Sequence, residues 1–119
     1  MLALVSCSLY GNDYPIYQTD TKWECTDPKI TYRVDSKGQG IGVYQVQDHA
    51  VYFGFGFQGS TADGVEYILD DDGNFVETGH VLFFGTGKFG NKNFCIKINS
   101  DPKNIFGNQY EELIFTRVD

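Results

Sequence analysis

The chain has 119 residues, which is enough for one domain with a single hydrophobic core. Hydrophobic residues make up 41% and aromatic residues 16%, which argues against disorder, and the 10 Phe, 8 Tyr and 14 Gly favour sheet over helix. The net charge of −7 argues against a nucleic-acid partner and gives no attraction to an anionic membrane surface, whereas it suits a basic protein partner.

The N-terminal stretch "MLALVSCS" places Cys7 directly after Leu-Val-Ser. A small residue before a cysteine, with aliphatic residues upstream, is how a bacterial lipoprotein signal ends. We therefore interpret residues 1–6 as a truncated signal remnant that lacks the charged start and most of an apolar region of about 7–15 residues, and we expect Cys7 to carry a lipid. The alternative is a frayed or buried thiol. Residues 7–21 show no sustained period and read as a polar spacer.

From residue 22 to residue 119 the pattern changes to short runs with alternating apolar side chains. In "KITYRVD", Ile30, Tyr32 and Val34 fall on one face, and "SKGQG" predicts a hairpin turn. The strongest strand signal is "DHAVYFGFGFQ", whose phenylalanines share one face and whose glycines share the other. Glycines opposite aromatic residues indicate a sharp bend or a large neighbour crowding the strand.

Further runs, ending in "FCIKINS" and "YEELIFTRVD", bring the number of predicted strands to about eight, with no helix of two turns or more. Short turns between neighbours predict an all-β fold, a single antiparallel up-and-down barrel of about eight strands, with a β-sandwich as the alternative. Such a lumen is filled by side chains or holds one small ligand, and the aromatic inward face favours a mostly filled interior. The residues we predict to be buried are Ile30, Tyr32, Val34, Val43, Phe53, Phe55, Phe57, Phe83, Phe94, Ile96, Ile98 and Phe115.

Candidate chemical motifs in this sequence have simpler interpretations. "LDDDGN" lacks the spacing and the flanking helices of an EF-hand and predicts a solvated hairpin turn. "GFGFQG" and "GTGKFG" resemble phosphate loops only faintly and read as bent strands. His49 and His80 lie near predicted turns without a nucleophile signature. We therefore expect no enzyme activity, no cofactor and no metal site.

Two further cysteines, Cys25 and Cys95, have no zinc-type spacing. If Cys7 carries a lipid, they are left either as a disulfide pair or as two unpaired thiols, and the sequence does not decide between these.

The first and last predicted strands carry Trp23 and Arg117. In a closed meander these strands are neighbours, so we expect the guanidinium to lie within about 6 Å of the indole face and to close the barrel. The alternative is a solvated arginine near the C-terminus. The arrangement resembles the Trp-and-Arg closure of lipocalin-like barrels, in which a glycine stands where this chain has Thr21.

The segment "TKWECTDPKITYRV" and the ending "NIFGNQYEELIFTRV" resemble small uncharacterised lipoproteins of anaerobic, gut-type bacteria. Matching positions are Cys7 for the lipid, Phe115 and Arg117 at the close, and Trp23, Asp27, Pro28 and Ile30 at the opening. The resemblance implies a lipid-anchored barrel and implies no reaction.

Two functional hypotheses follow. The first is a cell-envelope protein attached to the membrane through a lipid on Cys7, outside the cytoplasm, with a binding or structural role towards a small ligand or a protein. The second is an acidic cytoplasmic immunity or inhibitor protein that neutralises a basic toxin.

Overall fold

The computed structural model describes residues 18–90, 92–107 and 110–118. Its strands follow one another around a closed antiparallel barrel, each paired with its sequence neighbours, and β1 pairs with β8 to complete the circle. The predicted up-and-down barrel is therefore confirmed, and the β-sandwich alternative is wrong. The eight strands are β1 Thr21–Thr26, β2 Lys29–Val34, β3 Gly40–Val46, β4 His49–Gln58, β5 Thr61–Leu69, β6 Phe75–Phe89, β7 Asn93–Ser100 and β8 Glu112–Arg117.

The interior is filled by aromatic and aliphatic side chains. Phe94 stacks on Phe115 with ring centroids 4.7 Å apart, and Trp23 and Phe94 meet edge to face with ring centroids 5.1 Å apart. Phe53 meets Phe83 edge to face at 5.3 Å. Each such ring pair adds about 0.5–1.5 kcal/mol to the free energy of unfolding beyond area burial.

The predicted core is correct at most positions. Nine of the predicted residues are buried, and Phe57 and Ile98 are partly buried against the core. The prediction that Val43 belongs to the core is wrong, because Val43 pairs with Thr31 and Tyr52 on the outer face while Gly42 faces inward. Both faces of "IGVYQV" carry apolar residues, so alternation alone could not choose between them.

The barrel has two unlike ends. The turn end carries the short β2–β3, β4–β5 and β6–β7 turns, together with the start of β1. The loop end carries the β7–β8 connection, whose Phe106 is buried and packs against Tyr44 and Phe83 with ring centroids 5.2 and 5.3 Å away. The Asp101 carboxylate accepts the backbone N–H groups of Ile105 and Phe106, both at 2.9 Å, and so holds this plug in place.

The β5–β6 hairpin departs from regular pairing. Strand β6 begins at Phe75, and the ladder shifts register on both sides of Val65, whose partner Val81 lies two residues after the positive-φ Gly79. Nearer the barrel, Gly64 pairs with Phe83, and a methyl group on Gly64 would overlap that ring. The large neighbour expected at the glycines of β4 is found at Gly54, where a Cβ would lie 2.9 Å from the Tyr67 ring, and not at Gly56.

Candidate functional site

A cleft of about 180 Å³ opens in the barrel wall near the turn end, and the inward-facing rings of Tyr32 and Phe55 line part of it. Its position follows from strand lengths, because the β3–β4 ladder ends at Gly42 and Phe53 although β3 starts at Gly40 and β4 continues to Gln58. The recorded pairing of β3 with β4 therefore stops at Gly42 and Phe53, although the Gly40 carbonyl oxygen still lies close to Gly54. The residues that line the cleft are Tyr32, Gly38, Gln39, Gly40, Gly54, Phe55, Gly56, Val65, Tyr67 and Glu77.

The two outward-facing glycines of β4 have different effects on the cleft. A Cβ on Gly54 would lie 2.9 Å from the Tyr67 ring, so the absence of a side chain there lets the ring lie against the strand. A Cβ on Gly56 would meet no atom closer than 3.7 Å, the distance to Val65, so that position leaves the cleft open. The "GFGFQG" stretch is thus a strand, as predicted, but the alternation gave no sign that it forms part of a cleft.

The rim on the β2–β3 side is a fixed turn. Asp35 Oδ1 accepts the backbone N–H groups of Lys37 and Gln39, both at 2.9 Å, and the backbone N–H of Asp35 donates to the Gln39 carbonyl at 3.0 Å. Gly38 has the positive φ that this turn requires. The turn therefore positions Gln39 at the cleft.

Three polar side chains face the cleft without using their hydrogen-bonding capacity inside the protein. The Gln39 amide, the Tyr67 hydroxyl and the Glu77 carboxylate form no side-chain hydrogen bond or ion pair within the described part of the chain. Tyr67 and Glu77 are register partners on neighbouring strands, which places their side chains next to each other on the outer face. Converging polar groups in a concave site are typical of ligand binding.

The charge of the protein is segregated around this cleft. Residues 38–87 contain seven Asp or Glu and no Lys or Arg, and the remaining nine acidic residues balance all nine basic ones. The whole net charge of −7 therefore lies in one stretch that runs from Gly38 to Gly87 and forms β3, β4, β5 and most of β6. These strands are adjacent in the wall, and we call them the acidic half. The sequence alone contained this signal, although total charge concealed it.

The predicted closure residues lie on neighbouring strands. Trp23 of β1 and Arg117 of β8 are direct register partners. The buried indole N–H of Trp23 donates to Thr21 Oγ1 at 3.0 Å, and Arg117 Nη1 donates to Gln18 Oε1 at 2.7 Å. Thr21 therefore supplies the acceptor that the indole needs, and the guanidinium-over-indole contact stays a prediction.

The two cysteines that the structure describes lie on opposite faces of the barrel wall. Cys25 is buried on the inner face of β1 and burial raises the pKa of its thiol, whereas Cys95 lies on the outer face of β7, opposite Ile114 of β8. Because the two side chains point to opposite faces, no disulfide joins these two described residues. Cys7, the predicted lipidation site, lies outside the described residues.

The histidines each approach a carboxylate. His49 Nδ1 lies 3.5 Å from Asp48 Oδ1, and His80 Nδ1 lies 3.6 Å from Glu66 Oε1. At the "LDDDGN" turn, the Asp70 carboxylate accepts two backbone N–H groups of the turn itself. No cluster able to hold a metal ion occurs among residues 18–90, 92–107 and 110–118.

The site and the fold define a small closed β-barrel with a filled interior and a polar cleft on its wall. Comparisons with protein-family models, with curated proteins and with solved structures find no match for this chain. In the described residues, no helix has the length and hydrophobicity needed to cross a membrane.

Proposed function

We propose that this chain is a non-catalytic binding protein of the cell envelope, tethered through Cys7, and that it binds its ligand on the outer wall of the barrel. One contrast carries the proposal. The interior is occupied by rings such as Phe53, Phe83 and Phe94, while the outer cleft presents polar side chains that have no partners among the described residues.

The tether is proposed from Cys7 and the polar spacer that follows it. The described chain enters the barrel at the turn end, where Thr21 Oγ1 donates to the Gln18 carbonyl at 2.8 Å. A spacer that enters at this point would hold the barrel by the end nearest the cleft. A diacylated and N-acylated cysteine carries two or three chains, which is enough for stable attachment where a single chain is marginal.

Membrane fractionation of cells that express the gene with its native upstream sequence tests the tether. We expect the wild type and the control Cys95→Ala in the membrane fraction and Cys7→Ala in the soluble fraction. A wild type that stays soluble, or a Cys7→Ala variant that stays with the membrane, would contradict lipid attachment.

A fluorescent fatty acid tests whether the interior takes a ligand. An eight-stranded barrel has room for one small ligand only when side chains leave the lumen free. We expect no saturable binding of this probe at micromolar protein. Saturable binding that is abolished by Ala62→Leu, a change on the buried face of β5, would place the ligand inside and overturn the outer-wall proposal.

A second function is favoured by the acidic half. Its seven acidic residues without a compensating cation would speed association with a basic protein, as an inhibitor or immunity protein in the cytoplasm requires. Co-expression with a basic, growth-inhibiting protein encoded next to this gene tests it. Restored growth together with a soluble wild-type protein would favour this function over the tethered one.

A further inference from the structure

We propose that the cleft binds a positively charged group, a guanidinium or an ammonium, carried by the ligand. This inference rests on the proposed outer-wall binding function and names the chemical class of its ligand. Its basis is the side-by-side placement of Tyr67 and Glu77 in a cleft that belongs to the acidic half.

The Tyr67 ring and the Glu77 carboxylate make a complementary pair for a cation. A guanidinium or ammonium gains cation–π attraction over a tyrosine face within about 6 Å of its centroid. A carboxylate beside the ring accepts a charge-assisted hydrogen bond from the same group. The Gln39 amide oxygen, across the cleft, is a third acceptor.

The acidic residues around the cleft favour a ligand of positive charge. No Lys or Arg occurs from residue 38 to residue 87, so no cation of this stretch competes for Glu77, and an anionic ligand would be repelled. Lys37 and Lys88 flank this stretch in the sequence, and Glu77 forms no ion pair with either of them in the described structure. A concave acidic surface also concentrates cations and raises their association rate.

The size of the cleft limits what enters it. Its volume of about 180 Å³ is below the range of roughly 300–1,000 Å³ that holds drug-sized ligands. The cleft therefore suits one charged group with its short stem. That group belongs either to a small amine or guanidine or to an arginine or lysine side chain of a protein.

Calorimetric titration of the full chain with arginine amide, and with its uncharged isostere citrulline amide, tests the proposal. We expect saturable binding of arginine amide, at least about tenfold tighter than that of citrulline amide. Glu77→Gln should weaken it by about tenfold, whereas Asp71→Asn, which removes the same charge at the exposed hairpin tip, should weaken it by less than about twofold. Tyr67→Phe should keep the affinity and Tyr67→Leu should lower it several-fold.

The two possible sources of the charged group are separated by a peptide. The tripeptide Gly-Arg-Gly, blocked at both ends, should bind as tightly as arginine amide if the natural ligand is a protein side chain. If the tripeptide binds at least about tenfold more weakly, the cleft accepts only a small molecule.

The Gly56→Leu variant separates failure of this inference from failure of the outer-wall proposal, because Gly56 has room for a Cβ and a longer side chain there enters the cleft. Equal binding of the two amides, abolished by Gly56→Leu, would overturn the cation and keep the cleft. Arginine amide binding that Gly56→Leu leaves unchanged would overturn both. No binding of arginine amide, or equal effects of Glu77→Gln and Asp71→Asn, would overturn the cation site.

Discussion

The interior and the outer cleft differ sharply although they share strand β4. On its inner face Phe53 and Phe55 contribute rings to a packed core, while on its outer face Gly54 is buried under the Tyr67 ring and the exposed Gly56 leaves the cleft open. Because successive side chains of a strand point to opposite faces, β4 contributes to the core on one face and to the cleft on the other. The comparison shows that the cleft opens where a side chain is missing from the wall, and this is where we propose that the ligand binds.

The largest expected effect comes from opening the interior. Phe94→Ala should lower the free energy of unfolding by about 3–5 kcal/mol, because Phe94 is fully buried and stacks on Phe115. Phe84→Ala, at a position 43% exposed, should change it by less than about 0.5 kcal/mol. Urea denaturation measures both, and equal losses would contradict the division into a packed interior and a bare exterior.

A glycine pair sharpens the comparison further. Gly64→Ala should cost about 1–3 kcal/mol, because the added methyl group would overlap the Phe83 ring on the inner face. Gly56→Ala should be nearly neutral, because its methyl group would point into the open cleft. Thermal unfolding of the two variants measures the difference, and a Gly56→Ala loss as large as that of Gly64→Ala would show that the cleft is packed.

A substitution at the seam between β1 and β8 should have an effect of similar size. Thr21→Val removes the acceptor of the buried Trp23 indole N–H and should cost about 1–3 kcal/mol. Thr26→Val changes an exposed threonine of the same strand and serves as the control. Chemical denaturation followed by Trp23 fluorescence measures both, and identical stabilities would mean that the indole finds another acceptor.

The smallest expected effect is a pH dependence. Burial raises the pKa of Cys25 above its value in the unfolded chain, so between these two pKa values the folded state binds the proton more strongly. Stability is therefore fully present below about pH 8.5 and is lost as pH rises through the folded-state pKa. Cys25→Ala should lose less stability than the wild type between pH 7 and pH 10, and parallel curves would contradict this linkage.

The fold was predictable because each strand carries its own alternation and each connection its own turn residues. We assigned Val43 to the wrong face because both faces of its strand carry apolar residues. The burial of Phe106 could not be predicted because a loop has no periodic pattern of apolar residues. The cleft could not be predicted, since it depends on where the β3–β4 ladder ends and on Glu77 pairing with Tyr67 after a register shift. The charge segregation that surrounds it was readable from the positions of Lys and Arg alone.

The central claim is that this barrel binds on its wall and not in its lumen. A ¹⁵N-labelled full chain titrated with a mixture of small amines, amides and alcohols tests it most directly, because every backbone amide reports its own surroundings. The account predicts saturable shifts concentrated on the cleft glycines Gly38, Gly40, Gly54 and Gly56. Shifts concentrated on inward-facing Ile96 and Leu113, with the cleft amides unchanged, would contradict it.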